Sequence, residues 1–402
     1  MHILLIHQAY AGLNQYGGTR HAELGNYLIE KGHQFTVIGS KINYLTGEKT
    51  TQEELVPERF RFLGADTYFG LHKSYFLRAL NFMSFMASSF LIGLRIEHVD
   101  LIWGTSPPIF QILPAWLLAK IKRIPLVFEV RDLWPAFPVD MGVIQNKFII
   151  WMAEKVEVFF YQRADQIVIN SPGFKNHLLE KGISAEKIKV VPNGVDTSQF
   201  PPQIEGDDFR KEFDLEDSLV VLYAGAHGLA NDLETVLLAA EHVKNAPEIV
   251  FVLVGDGKSK AELKLFADKR ALKNVRFIPA QPKTAMPRVL AAADICLAVL
   301  KDIPMFKTTY PNKVFDYMAA GKPTLLMIDG VIREVVENAG GGIFVTPGDP
   351  VALADAVKLL ANQPERRKEM GLSARSYLQD NFRRSDQADT MENLFRELLS
   401  RD

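Results

Sequence analysis

The sequence predicts an α/β protein built from two doubly wound domains, each a parallel sheet covered by helices on both faces. Three observations carry this reading. Short apolar runs alternate with helical stretches of ten or more residues. The runs are apolar on both faces, as strands buried between two helical layers must be. They fall into two series with a turn-rich stretch between them. A length of 402 residues suits such an architecture, at about 100–200 residues per domain.

Taken in order, the strands of the first series are Ile3–Ile6, Phe35–Ile38, Leu101–Trp103, Leu126–Glu129, Gln166–Ile169 and Lys189–Val191. Those of the second are Leu219–Tyr223, Val250–Val254, Val275–Ile278, Ile295–Ala298, Thr324–Met327 and Gly342–Val345. Between the series, Val191-Pro192-Asn193-Gly194-Val195-Asp196 ends a strand with turn chemistry, and Pro201-Pro202 with Glu205, Asp207 and Asp208 follows. The expected domains are 1–195, 196–380 and a closing helix in 381–402 that packs back on the first domain. That helix is the end of Ala374–Ser400, which reads as one amphipathic stretch.

Composition narrows the function. Hydrophobic residues at 48% and charged residues at 23% exclude disorder as the main state. The single cysteine, Cys296, excludes an internal disulfide and suits a reducing compartment. A net charge of −2 argues against a nucleic-acid binder. Residues 1–195 carry 20 Lys/Arg against 17 Asp/Glu, so the first half is mildly basic. The start Met1-His2-Ile3-Leu4-Leu5-Ile6-His7 reads as a strand with no signal peptide, so a cytoplasmic location is expected. Tyr75–Leu94 is apolar, but Arg78, Asn81, Ser84, Ser88 and Ser89 make it too polar for a confident span. It fits a buried helix or one lying on a membrane. Asn146–Tyr161 is apolar on one helical side as well, and Lys120, Lys122 and Arg123 add basic charge, so a peripheral contact with the cytoplasmic face of a membrane is expected.

Glycine turns mark the candidate sites. Gly17-Gly18 precedes the helix Thr19–Lys31, and Gly225-Ala226-His227-Gly228 precedes the helix Asn231–Val243. Such turns let backbone N–H groups meet an anion at a helix start. Plain tight turns are the plainer alternative, with His227 on the surface. A third turn is Val254-Gly255-Asp256-Gly257. The pattern Gly-x-Gly-x-x-Gly is missing, which argues against a nicotinamide enzyme. In Lys307-Thr308-Thr309-Tyr310-Pro311-Asn312-Lys313-Val314-Phe315-Asp316, a loop enters a helix near Asn312. A lysine in a first helical turn is unfavourable without an anion, which makes Lys313 a phosphate candidate; the alternative is a solvated pair with Asp316. Arg131 and Asp132 close a buried strand. Arg131 could clamp a phosphate or carboxylate and Asp132 could orient or deprotonate a hydroxyl; a structural Arg131–Asp132 pair is the alternative.

These residues resemble glycosyltransferase family 4. The resemblance rests on Val190-Val191-Pro192-Asn193-Gly194-Val195-Asp196 with Phe200, on Asn170-Ser171-Pro172-Gly173-Phe174, on Tyr223-Ala224-Gly225, Val254–Gly257, Phe277–Pro282, Pro311–Pro323 and Gly348-Asp349-Pro350. It covers essentially the whole chain. Arg131-Asp132-Leu133-Trp134-Pro135 and Pro311-Asn312-Lys313 resemble a narrower branch of bacterial O-antigen, colanic-acid and capsule sugar transferases, including fucosamine transferases. The resemblance implies a GT-B fold, two Rossmann-like domains facing across a cleft. It implies a retaining transferase without metal or other cofactor. That enzyme would move a sugar, such as an N-acetylamino sugar, from a nucleoside diphosphate, UDP by branch association, to a polyprenyl-diphosphate-linked or growing glycan.

It also implies site residues. The catalytic candidates are Asp132, Arg131 and Lys313. The donor candidates are Gly17, Gly18, His227, Gly228, Gly255, Ile278, Pro279, Gln281, Lys307, Thr308, Thr309, Tyr310, Pro311, Asn312 and Asp316. The chain departs from the family at three places. Thr308 and Asp316 stand where two glutamates are usual. Ala226 and Asn231 stand where an Arg and a Lys usually clamp the diphosphate, so Lys313, Lys307 or His227 must substitute. Arg131 stands where many members have a histidine. Two other readings keep the fold: a degenerate transferase acting as a membrane or complex partner, and a sugar-nucleotide 2-epimerase, for which the carboxylate and histidine set is not found.

Overall fold

The first apolar run forms β1 (His2–Ile6), which lies inside a seven-stranded, wholly parallel sheet. That sheet belongs to unit 1, Met1–Pro192 together with the segment from Arg384 onward; unit 2 is Asn193–Arg383. This computed structural model describes residues 1–43, 47, 58–68 and 75–400.

In unit 1, β1 is followed by α1 (Arg20–Glu30), β2 (Gln34–Ser40), β3 (Phe60–Ala65), α2 (Tyr75–Leu94), β4 (Leu101–Ser106) and α3 (Ile112–Lys122). Then come β5 (Leu126–Val130), α4 (Ala136–Asp140), α5 (Lys147–Arg163), β6 (Gln166–Ile169), α6 (Phe174–Glu180) and β7 (Ile188–Val190). The strand order is β3-β2-β1-β4-β5-β6-β7. The winding reverses between β1 and β4, where Ile6 lies opposite Gly104. Such a reversal leaves a crevice at the carboxyl ends of the strands. Every residue of β4, β5 and β6 is buried, which is why these strands read as apolar runs. β3 escaped the sequence reading: it is an edge strand, largely half-buried and paired only with β2, so it needs no apolar run. α2 buries Asn81, Phe85, Ser89 and Gly93 at intervals of four and packs on α3, β2 and β3. It is a one-sided covering helix.

Unit 2 runs α7 (Asp207–Glu212), β8 (Leu219–Ala224), α8 (Leu233–His242), β9 (Ile249–Val254), α9 (Lys260–Lys269), β10 (Val275–Ile278) and α10 (Met286–Ala291). It continues with β11 (Ile295–Val299), α11 (Asn312–Ala319), β12 (Thr324–Met327), α12 (Val331–Asn338), β13 (Gly342–Phe344), α13 (Pro350–Ala361) and α14 (Pro364–Asn381). Its six strands are parallel in the order β10-β9-β8-β11-β12-β13, reversing between β8 and β11. Successive residues face opposite layers. Leu222, Val252 and Leu326 pack with Phe315 and Met318 of α11; Tyr223, Phe251 and Leu325 pack with Leu237 of α8 and Val357 of α13.

The closing stretch is two helices, which corrects the expectation of one. α14 stops at Asn381, and α15 (Arg384–Leu399) belongs to unit 1. The break is Phe382, at φ −138° and ψ 35°. Its ring packs against Tyr310, Phe315 and Tyr377, and its carbonyl accepts from Val195 N–H at 3.3 Å. Packing of that ring outweighs helix continuation. α15 buries Met391, Phe395 and Leu398, and Phe395 meets Trp103 edge-on at 5.7 Å.

Candidate functional site

Two groups of polar side chains gather at carboxyl strand ends, one beside the winding reversal of each sheet. In unit 2 the group is centred on Lys313 in the first turn of α11. Its Nζ donates to Tyr223 Oη at 2.7 Å and to Asn231 Oδ1 at 3.2 Å, and it lies 4.0 Å from the Tyr223 ring centroid. Among the described residues no carboxylate comes within ion-pair distance of it. Burial draws its pKa down to about 7. A lysine at a helix start, without a carboxylate partner among the described residues, has the chemistry to pair with an anion.

Glycines let the backbone close on this lysine. At Gly225 a Cβ would lie 2.9 Å from Lys313 Nζ, and the residue has φ +154°. At Gly255, with φ +150°, a Cβ would lie 1.9 Å from the Gly225 carbonyl oxygen. No other residue fits either turn. Lys260 donates to the Gly255 carbonyl at 2.7 Å and fixes the second turn.

His227 stands between these turns, but fully buried, not on the surface as a turn residue suggested. Its ring packs near Tyr223 and Phe277, and neither ring nitrogen has a hydrogen-bond partner among the described residues. Burial, with Lys260 and Lys313 adding to it, lowers its pKa to about 4, so it is neutral. It forms the wall of the glycine turns.

Asp316 does not pair with Lys313, the three-residue spacing notwithstanding. Its carboxylate accepts from Lys283 Nζ at 2.5 Å. Lys283, in the turn after β10, also lies 5.3 Å from the Phe200 ring centroid. It was missed in the sequence because its partner is remote along the chain. Nearby, Ile278 is buried, Pro279 is exposed, and Gln281 Nε2 donates to the Pro279 carbonyl at 3.3 Å.

The loop before α11 is less available than its sequence suggested. Lys307 faces Asp329 at 3.4 Å and Asp302 at 3.7 Å. Thr308 and Thr309 hydroxyls donate back to the carbonyls of Met305 and Phe306. Tyr310 sits in the Phe315–Phe382 cluster, and its carbonyl accepts from Asn193 Nδ2 at 2.6 Å. Pro311 is the N-cap, and Asn312 is exposed at the helix start. Of the two positions that depart from the family's clamp, Ala226 is exposed and Asn231 joins Lys313. Gly228 adjoins Asn231.

In unit 1 the group surrounds the ends of β1, β4 and β5. Arg131 does not pair with Asp132. Its Nε donates to Thr105 Oγ1 and the Ser106 carbonyl, both at 3.0 Å, and its Nη2 donates to His7 Nε2 at 2.9 Å. His7 is held neutral, its pKa pushed well below 6.5 by burial and by Arg131. Asp132 has no hydrogen-bond or ion-pair partner among the described residues, and burial raises its pKa to about 6 against the pull of Arg131. It is a carboxylate of base strength near neutrality, left free for a ligand hydroxyl.

Below it, Glu129 is fully buried and accepts from Arg20 Nε at 2.7 Å, His21 Nε2 at 2.7 Å and Trp103 Nε1 at 3.1 Å. Burial alone would raise its pKa, but Arg20 and His21 outweigh burial and hold it well below the carboxylate range. Gly17, at φ +137°, and Gly18 lie in unit 1 ahead of α1, with open space beside Gly18.

Residues 17–199 match the family described as Glycosyltransferase Family 4, and residues 205–377 match Glycosyl transferases group 1. WcaI of Escherichia coli (strain K12), named as a colanic acid biosynthesis glycosyl transferase, is 28% identical over 367 residues, covering 86% of this chain and 88% of that protein. Sucrose-phosphate synthase (tll1590) from Thermosynechococcus elongatus superposes with a TM-score of 0.78 at 19% identity, over the full length of both chains (100% each). The Anabaena Alr3699/HepE structure in complex with UDP and glucose gives 0.75 at 17% identity, covering 98% of this chain and 99% of that one. At such identity the structural likeness speaks for the fold, the two Rossmann-like sheets of the GT-B class.

Proposed function

Since this chain belongs to glycosyltransferase family 4, its first unit matching that family and its second matching Glycosyl transferases group 1, and is a glycosyltransferase, we propose that it is a retaining enzyme of cell-surface polysaccharide assembly. It moves a sugar from a nucleoside diphosphate to a polyprenyl-diphosphate-linked or growing glycan. The observation that carries the donor reading is Lys313: half-buried, without a carboxylate partner, and set against two glycine turns.

Unit 2 takes the donor. The Lys313 ammonium and the first N–H groups of α11 meet the diphosphate. Asp316 accepts from the ribose hydroxyls, and backbone groups at Ile278–Gln281 read the base. UDP is the first nucleotide to try, because the Anabaena structure of the same fold is a complex with UDP. Charge on the leaving diphosphate is then met by lysine and amides, so no metal ion is required. In unit 1, Asp132 accepts a hydrogen bond from the acceptor hydroxyl and orients it, while Arg131 and the Gly17-Gly18 amides offer positive potential.

The bond from the anomeric carbon to the diphosphate oxygen breaks as the acceptor oxygen bonds to that carbon on the same face. The departing phosphate oxygen takes the acceptor proton, and lysine stabilises the charge that develops there. The similarity to WcaI supports a polysaccharide setting.

Calorimetric titration with UDP, GDP, ADP and TDP, first without metal and then with magnesium, tests the donor reading. One diphosphate should bind without metal, and Lys313→Ala should weaken it at least tenfold. Binding of none would point to the degenerate partner, and binding only with magnesium would overturn the metal-free site.

A further inference from the structure

We propose that the amino-terminal end of α5, Phe148 to Met152, is a membrane anchor that docks unit 1 onto an anionic lipid surface. The proposal rests on exposed side chains alone and does not need the transfer reaction.

Phe148 is 67% exposed, Ile149 53%, Trp151 51% and Met152 44%. A helix turns about 100° per residue, so positions 148–152 sweep more than a full turn. Apolar groups all the way round one helix end cannot be the buried face of a surface helix. The rest of α5 is ordinary and buries Ala153, Glu157, Phe160 and Tyr161. The expectation of a helix apolar on one side therefore holds only for its second half.

This end is formed, not frayed. Asn146 caps it, its Oδ1 accepting from Phe148 N–H at 3.0 Å and Ile149 N–H at 3.2 Å. The Phe148 and Trp151 rings stack at 6.0 Å and 28° in the open. Val143, in the preceding turn, is 42% exposed. Each such side chain left in water forgoes part of the gain of apolar burial. Single exposed apolar residues are common; this density at one protruding end marks an interaction site.

The flanking chemistry selects lipid. Lys147 and Lys155 are exposed on either side of the run, without an ion-pair partner among the described residues. Lysines flanking exposed Trp and Phe are the pattern of an interfacial helix facing anionic headgroups, and the exposed Glu154 beside Lys155 is engaged by Lys181 at 3.9 Å. An apolar end that faces every direction suits a fluid medium, whereas a groove on a second protein would meet one face. α2 is a poorer anchor: its span Leu77–Leu94 has the length and composition to cross a bilayer, but one face is committed to α3, β2 and β3.

The test is flotation of the full-length protein with vesicles of phosphatidylglycerol and phosphatidylethanolamine, beside vesicles of phosphatidylcholine alone. The wild type should float with the anionic vesicles. Phe148→Ser with Trp151→Ser should lower partitioning at least tenfold, with an unchanged thermal melt because both residues are exposed. Lys147→Glu with Lys155→Glu should abolish the preference for anionic lipid. The proposal is overturned if the wild type stays off anionic vesicles, or if the double serine variant floats as well as it does. It is overturned equally if sedimentation without lipid reveals a dimer that this variant loses while vesicle binding is untouched. Nucleotide affinity should be the same in every variant, so failure here and failure of the donor site are separable.

Discussion

Lys283 and Asp316 form an ion pair at 2.5 Å between the turn after β10 and the middle of α11, with side chains 12% and 16% exposed. If Asp316 receives the ribose hydroxyls, Lys283 positions that carboxylate. Lys283→Ala should then weaken nucleoside-diphosphate binding by about tenfold, the scale of one charge-assisted hydrogen bond. Asp316→Ala should cost as much or more, and the double variant no more than Asp316→Ala alone. Additive losses in calorimetry would mean that Lys283 binds the nucleotide by itself.

If Lys313 meets the diphosphate as proposed, it sets a pH dependence of binding. Its pKa is drawn from 10.5 to about 7 by burial. A diphosphate beside it favours the ammonium, so the bound-state pKa lies higher. Between those two values binding takes up a proton: about one at pH 8, read from titrations in buffers of different ionisation enthalpy. Affinity should fall as pH climbs past 7. Stability moves the other way, because the unfolded chain holds more protons between about 7 and 10.5, so stability rises with pH across that window. Lys313→Met should therefore raise the Tm at pH 7 while removing both the proton uptake and the pH dependence of binding. A variant that binds with the same proton uptake would place the titrating group elsewhere.

If Asp132 orients the acceptor hydroxyl as proposed, it sets the acid limb of turnover. With its pKa raised to about 6, it is a carboxylate above that value and a neutral acid below it. The rate should fall as pH drops through 6, because the protonated group no longer accepts from the acceptor hydroxyl. Asp132→Asn should lower kcat by about 10²–10⁴ and flatten the limb. Nucleotide affinity, which belongs to unit 2, should stay unchanged. An unaltered profile would remove Asp132 from the reaction.

What could be read from the sequence follows from whether a signal is local. Leu126–Val130 is buried on both faces and announces itself as an apolar run. β3 is an edge strand whose FRFLGA sequence has no such signature. Lys313 was legible because a lysine in a first helical turn is unfavourable on local grounds. Lys283 was not, since its meaning lies in a carboxylate 33 positions away. His227 looked like a surface turn residue, but its own glycine turn packs against the Gly255–Gly257 turn and closes over it, and burial of that kind is a tertiary property. Arg131 and Asp132, adjacent in sequence, looked like a pair; as neighbours past a strand end they diverge, Arg131 to His7 and Asp132 to a half-buried position without a hydrogen-bond partner among the described residues.

Glu129 should be the most costly polar residue of unit 1 to alter. Its side chain is fully buried, and the three donors Arg20, His21 and Trp103 converge on it. Arg20 also donates to the carbonyls of Val191 and Pro192, where the chain leaves unit 1. Glu129→Gln preserves the shape but removes the charge, so the Arg20 guanidinium is left in the core without its counter-ion. Breaking a buried pair in this way costs about 3–5 kcal/mol, so urea unfolding at pH 7 should show a lowered midpoint with an unchanged slope. The sign with pH is set by Glu129 itself. Its folded pKa lies below the unfolded 4.5, so its contribution is present above 4.5 and is lost as pH falls toward the folded value. The difference between wild type and variant should therefore shrink on acidification. A difference that stays constant down to low pH would mean that packing of the amide, not loss of the charge, is responsible.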